Sequence, residues 1–253
     1  MTIGVSCPAF SADPVEDWAS PVFEEFDHWE IFSEACHSFL YCLGELEEVL
    51  PSYDMTYSVH APICDVNIAA VSECIREASL NEVVRTAELA SELEITMFTV
   101  HPGLFSMSVP GIEERSLEIA RESMRFLDRA AAEYGVTFAV ENMPRMPFFI
   151  GRTAEQLSSL IEGTDLSVCF DIGHANTTGQ IDAMIDVFGD RIANVHIHDN
   201  DGSSDAHMTI GDGNIDFRHV LGRLSSYRGD FIIESKGFDS AVESRLRLES
   251  MSS

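Results

Sequence analysis

The chain has 253 residues, 45% of them hydrophobic, and carries a formal net charge of −28 at neutral pH. That length suits one complete α/β barrel, whose usual size is about 250 residues. The charge argues against tight binding to duplex DNA, because affinity for a phosphate backbone comes mainly from clustered lysines and arginines, and of fifteen basic residues only Lys236 is a lysine.

Taken in chain order, short β-rich runs are predicted at Ile3–Cys7, His28–Phe32, Met55–His60, Ile95–His101, Thr137–Glu141, Ser167–Asp171, Ala193–His198 and Asp230–Glu234. Stretches with helical spacing lie between most of them. Asn67–Leu93 is one; in Glu113–Tyr134, Leu117, Ala120, Met124, Leu127 and Ala131 recur at helical intervals with charges opposite. In Thr153–Glu162, Thr153 and Gln156 stand as a capping box. Strand and helix alternating without a long linker predict a parallel sheet closed into a single (β/α)8 TIM barrel covering residues 1–253, with a short polar tail at about 248–253.

Several other classes are set aside by the same pass. No run approaches the roughly 18 apolar residues of a membrane span, and the start MTIGVSCPAF lacks the charged and long apolar segments of a signal peptide. The expectation is a cytoplasmic protein with no membrane partner. Six scattered cysteines without CxxC spacing read as free thiols rather than a disulfide frame or a cysteine zinc site. Acidity with almost no lysine also fits a salt-adapted cytoplasm, in which case it carries no information about substrate.

The predicted strands share one property: most end in a side chain that can bind a metal or move a proton. These ends are His60 in YSVHAP, His101 in FTVHPG, Glu141 in FAVENMP, Asp171 with His174 in VCFDIGHAN, His196 with His198 in ANVHIHDN, and Glu234 in FIIES; Asp205 and His207 follow in DAHMTIGDG. In a parallel barrel the C-terminal strand ends build the active site. Mixed imidazole and carboxylate donors there suit zinc, manganese or cobalt. Glu141, Asp171, His196 and Glu234, on strands five to eight, form one predicted metal site. His60 and His101 leave matched strands just before proline. Asp205 and His207 fall on one face of an extended segment. His174 stands open between metal ligand, substrate contact and helix cap. His198 is expected at the substrate, as are Arg145 and Arg152, a close arginine pair beside the predicted mouth that suits a single phosphate or carboxylate.

The ordered motifs HAP, HPG, EN-x-P, FD-x-GH, H-x-HDN, D-x-H-x-x-x-G-x-G-x-IDF and a late glutamate, spread from about Met55 to Gly237, resemble the xylose isomerase-like superfamily of metal-dependent TIM barrels. That superfamily holds sugar isomerases and epimerases, inositol-catabolism proteins and endonuclease IV. The resemblance implies that Glu141, Asp171, His196 and Glu234 hold a metal and that Glu141 and Glu234 also shuttle a proton. It further implies the endonuclease ligands His60, His101, His174, Asp205 and His207, enough for up to three ions. The leading expectation is isomerisation or epimerisation of a small sugar, polyol or sugar phosphate with one to three divalent ions. The alternative is a multinuclear zinc phosphodiesterase resembling endonuclease IV. Substrate, metal and oligomeric state are not specified by the sequence.

Overall fold

A computed structural model describes residues 2–106 and 110–252. Its eight strands form a closed barrel in which each pairs in parallel with its sequence neighbours and the last pairs with the first. In chain order the elements are β1 (Thr2–Ser6), α1 (Val15–Glu25), β2 (His28–Phe32), α2 (Leu43–Val49), β3 (Thr56–His60), α3 (Glu73–Ser91), β4 (Met97–Val100) and α4 (Ile112–Tyr134). They continue with β5 (Thr137–Glu141), α5 (Ala154–Leu160), β6 (Ser167–Asp171), α6 (Ile172–Thr178), α7 (Ile181–Phe188), β7 (Ile192–Ile197), α8 (Phe217–Arg223), β8 (Asp230–Glu234) and α9 (Phe238–Ser252). The expected (β/α)8 barrel is therefore the fold. No described helix is long and apolar enough to cross a membrane.

Local chemistry explains where the elements stop. Helix α4 ends at Gly135 in the left-handed region (φ 67°), the helix-terminating conformation that costs glycine least. Thr153 caps α5 by accepting from the Gln156 amide, but Gln156 Oε1 accepts from the Gly151 and Arg152 amides. It thus ties down the preceding turn instead of closing a reciprocal capping box. Helix α3 begins six residues later than periodicity predicts. Residues 67–72 turn instead, with Asn67 Oδ1 accepting from the Ala69 and Leu104 amides. Of the segment expected as a polar tail, residues 248–252 are the last part of α9, with Leu248 fully buried, and Ser253 lies outside the described residues.

Side chains alternate across each strand, so one set in two lines the barrel. The middle of that lining is polar. Glu30 on β2 accepts from Asn194 on β7 at 2.7 Å and from Ser58 on β3 and Thr99 on β4 at 3.2 Å, and since β2 and β7 are not neighbours this network crosses the interior. Register then fixes the layer above it. Phe32 pairs with His60, Glu141 with Cys169, Asp171 with His196, and Ser6 with Glu234. A register shift at Val168/Cys169 brings Asp171 level with His196. The acid, imidazole and thiol side chains at this end consequently converge at one mouth.

Candidate metal centre

Glu141, at the end of β5, is the hub. Its carboxylate is 1% exposed. His101 Nε2 lies 2.9 Å and His60 Nε2 3.7 Å from Oε2, while His196 Nδ1 lies 3.2 Å and His174 Nδ1 3.5 Å from Oε1. Around it the ligand-type atoms fall into overlapping groups: His60, His101 and Glu141; Glu141, Asp171, His196 and Glu234; Glu141, Cys169 and His196; and, beside these, His174, His198, Asp205 and His207. Within each group one donor atom per residue lies within 4.8 Å of the others.

The electrostatics of the hub follow from this packing. Burial alone would raise the Glu141 carboxyl, but the bonded imidazoles of His101, His196 and His60 hold it well below the usual carboxylate range. Burial would likewise lower His196, and its neighbours Cys169, Glu30 and Glu234 raise it well above an ordinary imidazole. His174 is raised in the same sense, against burial, by Asp171, Asp205 and Glu141. Burial pushes the Cys169 thiol up, so it sits in the wall as a thiol rather than a thiolate donor.

Donors of this kind fit divalent ions on two observations. First, Asp171 Oδ2 and Asp205 Oδ1 are buried without a hydrogen-bond partner, a costly state for polar atoms. Second, the outer ring nitrogens are already committed: His60 Nδ1 bonds the Ala61 carbonyl and His174 Nδ1 the Asn142 carbonyl, both at 2.9 Å, and His196 Nε2 lies 2.8 Å from Glu30 Oε1. Once its inward nitrogen gives up a proton to an incoming ion, a ring that donates outward presents its lone pair to the centre, the arrangement typical of ligating histidines.

Each residue singled out from the sequence can now be placed. Glu141, Asp171, His196 and Glu234 converge. His60 and His101 stand on the Glu141 side, and His174, Asp205 and His207 on the other. His101 and His207, 20% and 21% exposed, and Asp205 at 15% form the solvent side of the mouth. His174 also receives a cap, its amide donating to Asp171 Oδ1. His198, expected at substrate, groups with His174, Asp205 and His207 instead. Of the arginine pair, the Arg145 guanidinium donates to the Gly202 carbonyl in the β7–α8 loop, and Arg152 Nε is buried with no hydrogen-bond partner.

Sequence reasoning missed Glu30, Thr99, Asn142, Asn194 and Asp199. Asn142 ties β5 to β6, donating to the Asp171 carbonyl and accepting from the Asp171 amide, both at 2.9 Å. Asp199 accepts from the amides of Asn200, Gly211, Gly213 and Ile215 and so folds the loop that carries Asp205 and His207. A side chain at Gly213 would meet Asp199 Oδ1 at 2.2 Å, which explains the second glycine of the D-x-H-x-x-x-G-x-G run.

Comparison with known proteins then settles the family. The model of the xylose isomerase-like TIM barrel family matches residues 23–251. The chain belongs to that family. Within it, an uncharacterised protein of Methanocaldococcus jannaschii is 34% identical over 259 residues, spanning 97% of this chain and 87% of its own length. The crystal structure of a D-tagatose 3-epimerase-like protein superposes with a TM-score of 0.91 at 31% identity, covering 99% of this chain and 97% of that one. A protein described as a probable endonuclease 4 of Acholeplasma laidlawii is 26% identical over 181 residues, 64% of this chain and 60% of its own length. The xylose isomerase-like family thus brackets this site with epimerase-like and endonuclease-like relatives.

Proposed function

We propose that this member of the family is a divalent-metal-dependent phosphoester hydrolase acting on a small substrate, with more than one ion at the barrel mouth. The observation that carries this reading is the enclosure of Glu141, whose two oxygens are each faced by imidazoles on opposite sides. A glutamate that shuttles a proton between substrate carbons needs an oxygen free to reach them. One enclosed on both sides is suited to be shared between ions. That reverses the order of the two activities expected from sequence.

Clustered divalent ions, when bound, polarise a phosphoester and acidify water at neutral pH. The chain's own groups supply the rest. His60 and His101 would hold an ion together with Glu141; Asp171, His196 and Glu234 would hold a second with the same glutamate. Glu30 keeps His196 oriented. His101 and His207 form the exposed rim by which substrate enters. Beside His101 lies a cavity of about 170 Å³ bordered by Ile63, Val66, Leu104, Phe148 and Phe149, suited to the apolar part of an organic phosphoester. The net charge of −28 supports a small ester over a duplex.

A second reading is epimerisation of a small sugar at the group Glu141, Asp171, His196 and Glu234. It is favoured by the likeness to the D-tagatose 3-epimerase-like protein and by Glu234, whose Oε1 lies 3.1 Å from His196 Nδ1 while Oε2 stands 3.7 Å from His207 Nδ1. Two assays on one preparation separate the readings. Protein reconstituted with zinc, manganese or cobalt is expected to release nitrophenol from nitrophenyl phosphate esters, and Glu141→Gln to lose that activity. Deuterium uptake from heavy water into a ketohexose, without any ester hydrolysis, would overturn the first reading in favour of the second.

A further inference from the structure

The cavity beside His101 crosses the end of β4. Consecutive side chains point to opposite sides of a strand: His101 turns to Glu141 at the mouth, Val100 turns away, and the cavity touches both as well as Val83 of α3. Ile63 and Val66 bring the β3–α3 loop to it, Leu104 the β4–α4 loop, and Phe148 and Phe149 the β5–α5 loop. Of the described side chains in its lining, only that of His101 is polar. An apolar chamber therefore borders a candidate metal ligand.

Hydrogen bonds tie its walls to one another. Glu34 Oε1 accepts from the Ile63 and Cys64 amides, both at 2.7 Å. Asn67 joins the next two loops, its Oδ1 accepting from the Leu104 amide at 2.9 Å and its Nδ2 donating to the Leu104 carbonyl at 3.2 Å. The Phe105 amide donates to the Phe148 carbonyl at 2.8 Å, and the Ile150 amide to the Gly103 carbonyl at 3.2 Å. Gly103 has φ 105°, and a Cβ there would come within 2.6 Å of the Ala69 Cβ, so this wall admits glycine alone. Phe149 stands edge-on to His101 with centroids 6.2 Å apart, and its ring centroid lies 4.7 Å from that of Phe148. Walls fixed before a ligand arrives lose little freedom when it binds.

Size and lining decide what fits. An apolar protein cavity of about 150 Å³ binds one benzene, so about 170 Å³ holds one such ring with a methylene and is too small for a nucleoside. A sugar would bring hydroxyls to walls whose one polar side chain, His101, already faces Glu141 with Nε2 at 2.9 Å, and a hydroxyl buried without a partner is costly. We propose that this cavity is the subsite for the alcohol half of the ester, and that the alcohol is of benzyl type, a single hydrocarbon ring joined through one methylene to the ester oxygen. This rests on the hydrolase reading above. In the reaction the water oxygen bonds to phosphorus, the bond from phosphorus to the ester oxygen breaks, and the alcohol leaves with one of the water's protons. The ring stays in the cavity throughout, which keeps the ester oxygen beside His101.

The test compares phosphate release from benzyl phosphate and glycerol phosphate, whose alcohols are of similar acidity, by protein loaded with zinc, manganese or cobalt. A single methylene in an apolar pocket is worth about 10- to 200-fold, so kcat/KM for the benzyl ester is expected to be at least about 100-fold the higher. Val66→Trp fills the cavity from a half-buried loop position and should lower that ratio at least about 10-fold; Leu104→Trp takes its place if the first variant does not fold. Binding is read apart from turnover. Benzyl alcohol titrated into the zinc-loaded wild type should shift the methyl resonances of Ile63, Val66, Val83 and Leu104 saturably, and the methyls that remain in the filled variant should not move. Equal turnover of the two esters, an unchanged ratio in a folded filled variant, or unmoved wild-type methyls overturns the proposal, and the hydrolase reading stands as long as some ester is hydrolysed. Saturable binding of benzyl alcohol with no phosphate released from any ester removes the hydrolase reading itself, and this proposal with it.

Discussion

Glu30 is the residue whose replacement probes most sharply how the barrel interior tunes the centre above it. It is fully buried and touches no candidate ion directly. Oε1 lies 2.8 Å from His196 Nε2, and Oε2 accepts from Asn194, Ser58 and Thr99. Glu30→Gln keeps a carbonyl for His196 if its amide turns to the other side, where two hydroxyls and an amide can rearrange to receive it. What that variant loses is the negative charge that makes His196 a better donor. Glu30→Leu leaves His196 Nε2–H without its carboxylate and the Asn194 amide with Thr99 Oγ1 as its one remaining acceptor. Loss of an outer-shell carboxylate typically costs about 10- to 100-fold in metal affinity, roughly 1.4–2.7 kcal/mol. We expect Glu30→Gln near the lower figure and Glu30→Leu near the upper, the latter with a further loss of about 1–3 kcal/mol in folding stability for each buried donor orphaned. Competition against a fluorescent zinc chelator measures the affinities, and urea unfolding of the metal-free proteins measures stability. Glu30→Leu that folds and binds zinc within twofold of wild type would refute the reasoning that His196 is a ligand oriented through Glu30.

Other outcomes follow from the same structure. His174 and His196 are held well above the ordinary imidazole range by surrounding acids, so near neutrality they carry protons that an incoming ion must displace; calorimetry in buffers of different ionisation enthalpy should register proton release, with affinity rising as pH rises, and buffer-independent heats would contradict this. His37 is 1% exposed, its two ring nitrogens lack partners, and burial pushes it down to about 4. It is neutral in the fold and protonates more readily when unfolded, so its share of stability is intact above about pH 6.5 and is lost as pH falls toward 4, by about 3 kcal/mol in all. His37→Leu should flatten that part of the profile, and identical slopes in urea titrations would rule His37 out as the cause. Duplex DNA carrying an abasic site should show no binding tighter than about 1 μM at physiological salt; submicromolar anisotropy titrations with incision would return the endonuclease reading.

The barrel was legible because its strands are short apolar runs broken by amphipathic stretches, and the mouth because those runs end in donors. What escaped were residues whose role depends on what lies across the barrel. Glu30 sits in the middle of HWEIF, where no strand end marks it. Alternation could have found it, since it lies two residues before Phe32, which pairs with His60. The alternation of β7 brings His198 to the mouth but does not show the loop that folds back over it. That loop is shaped by Asp199, and its His207 adopts a positive φ of 43°, a conformation that non-glycine residues rarely take and that no pattern signals. Closeness in sequence at Arg145 and Arg152 says nothing of where long side chains on a loop find partners, and Arg145 finds the Gly202 carbonyl.

Hydrolysis by more than one ion turns on Glu141 as a shared ligand. Anomalous diffraction at the zinc edge from crystals of zinc-loaded protein would locate each ion. Two peaks flanking Glu141 are predicted, one with His60 and His101 and one with Asp171, His196 and Glu234, each about 2.0–2.2 Å from a Glu141 oxygen. A single peak on the Asp171 side, with His60 and His101 left bonded to the second Glu141 oxygen, would show that Glu141 serves one ion alone and remove the hydrolase reading.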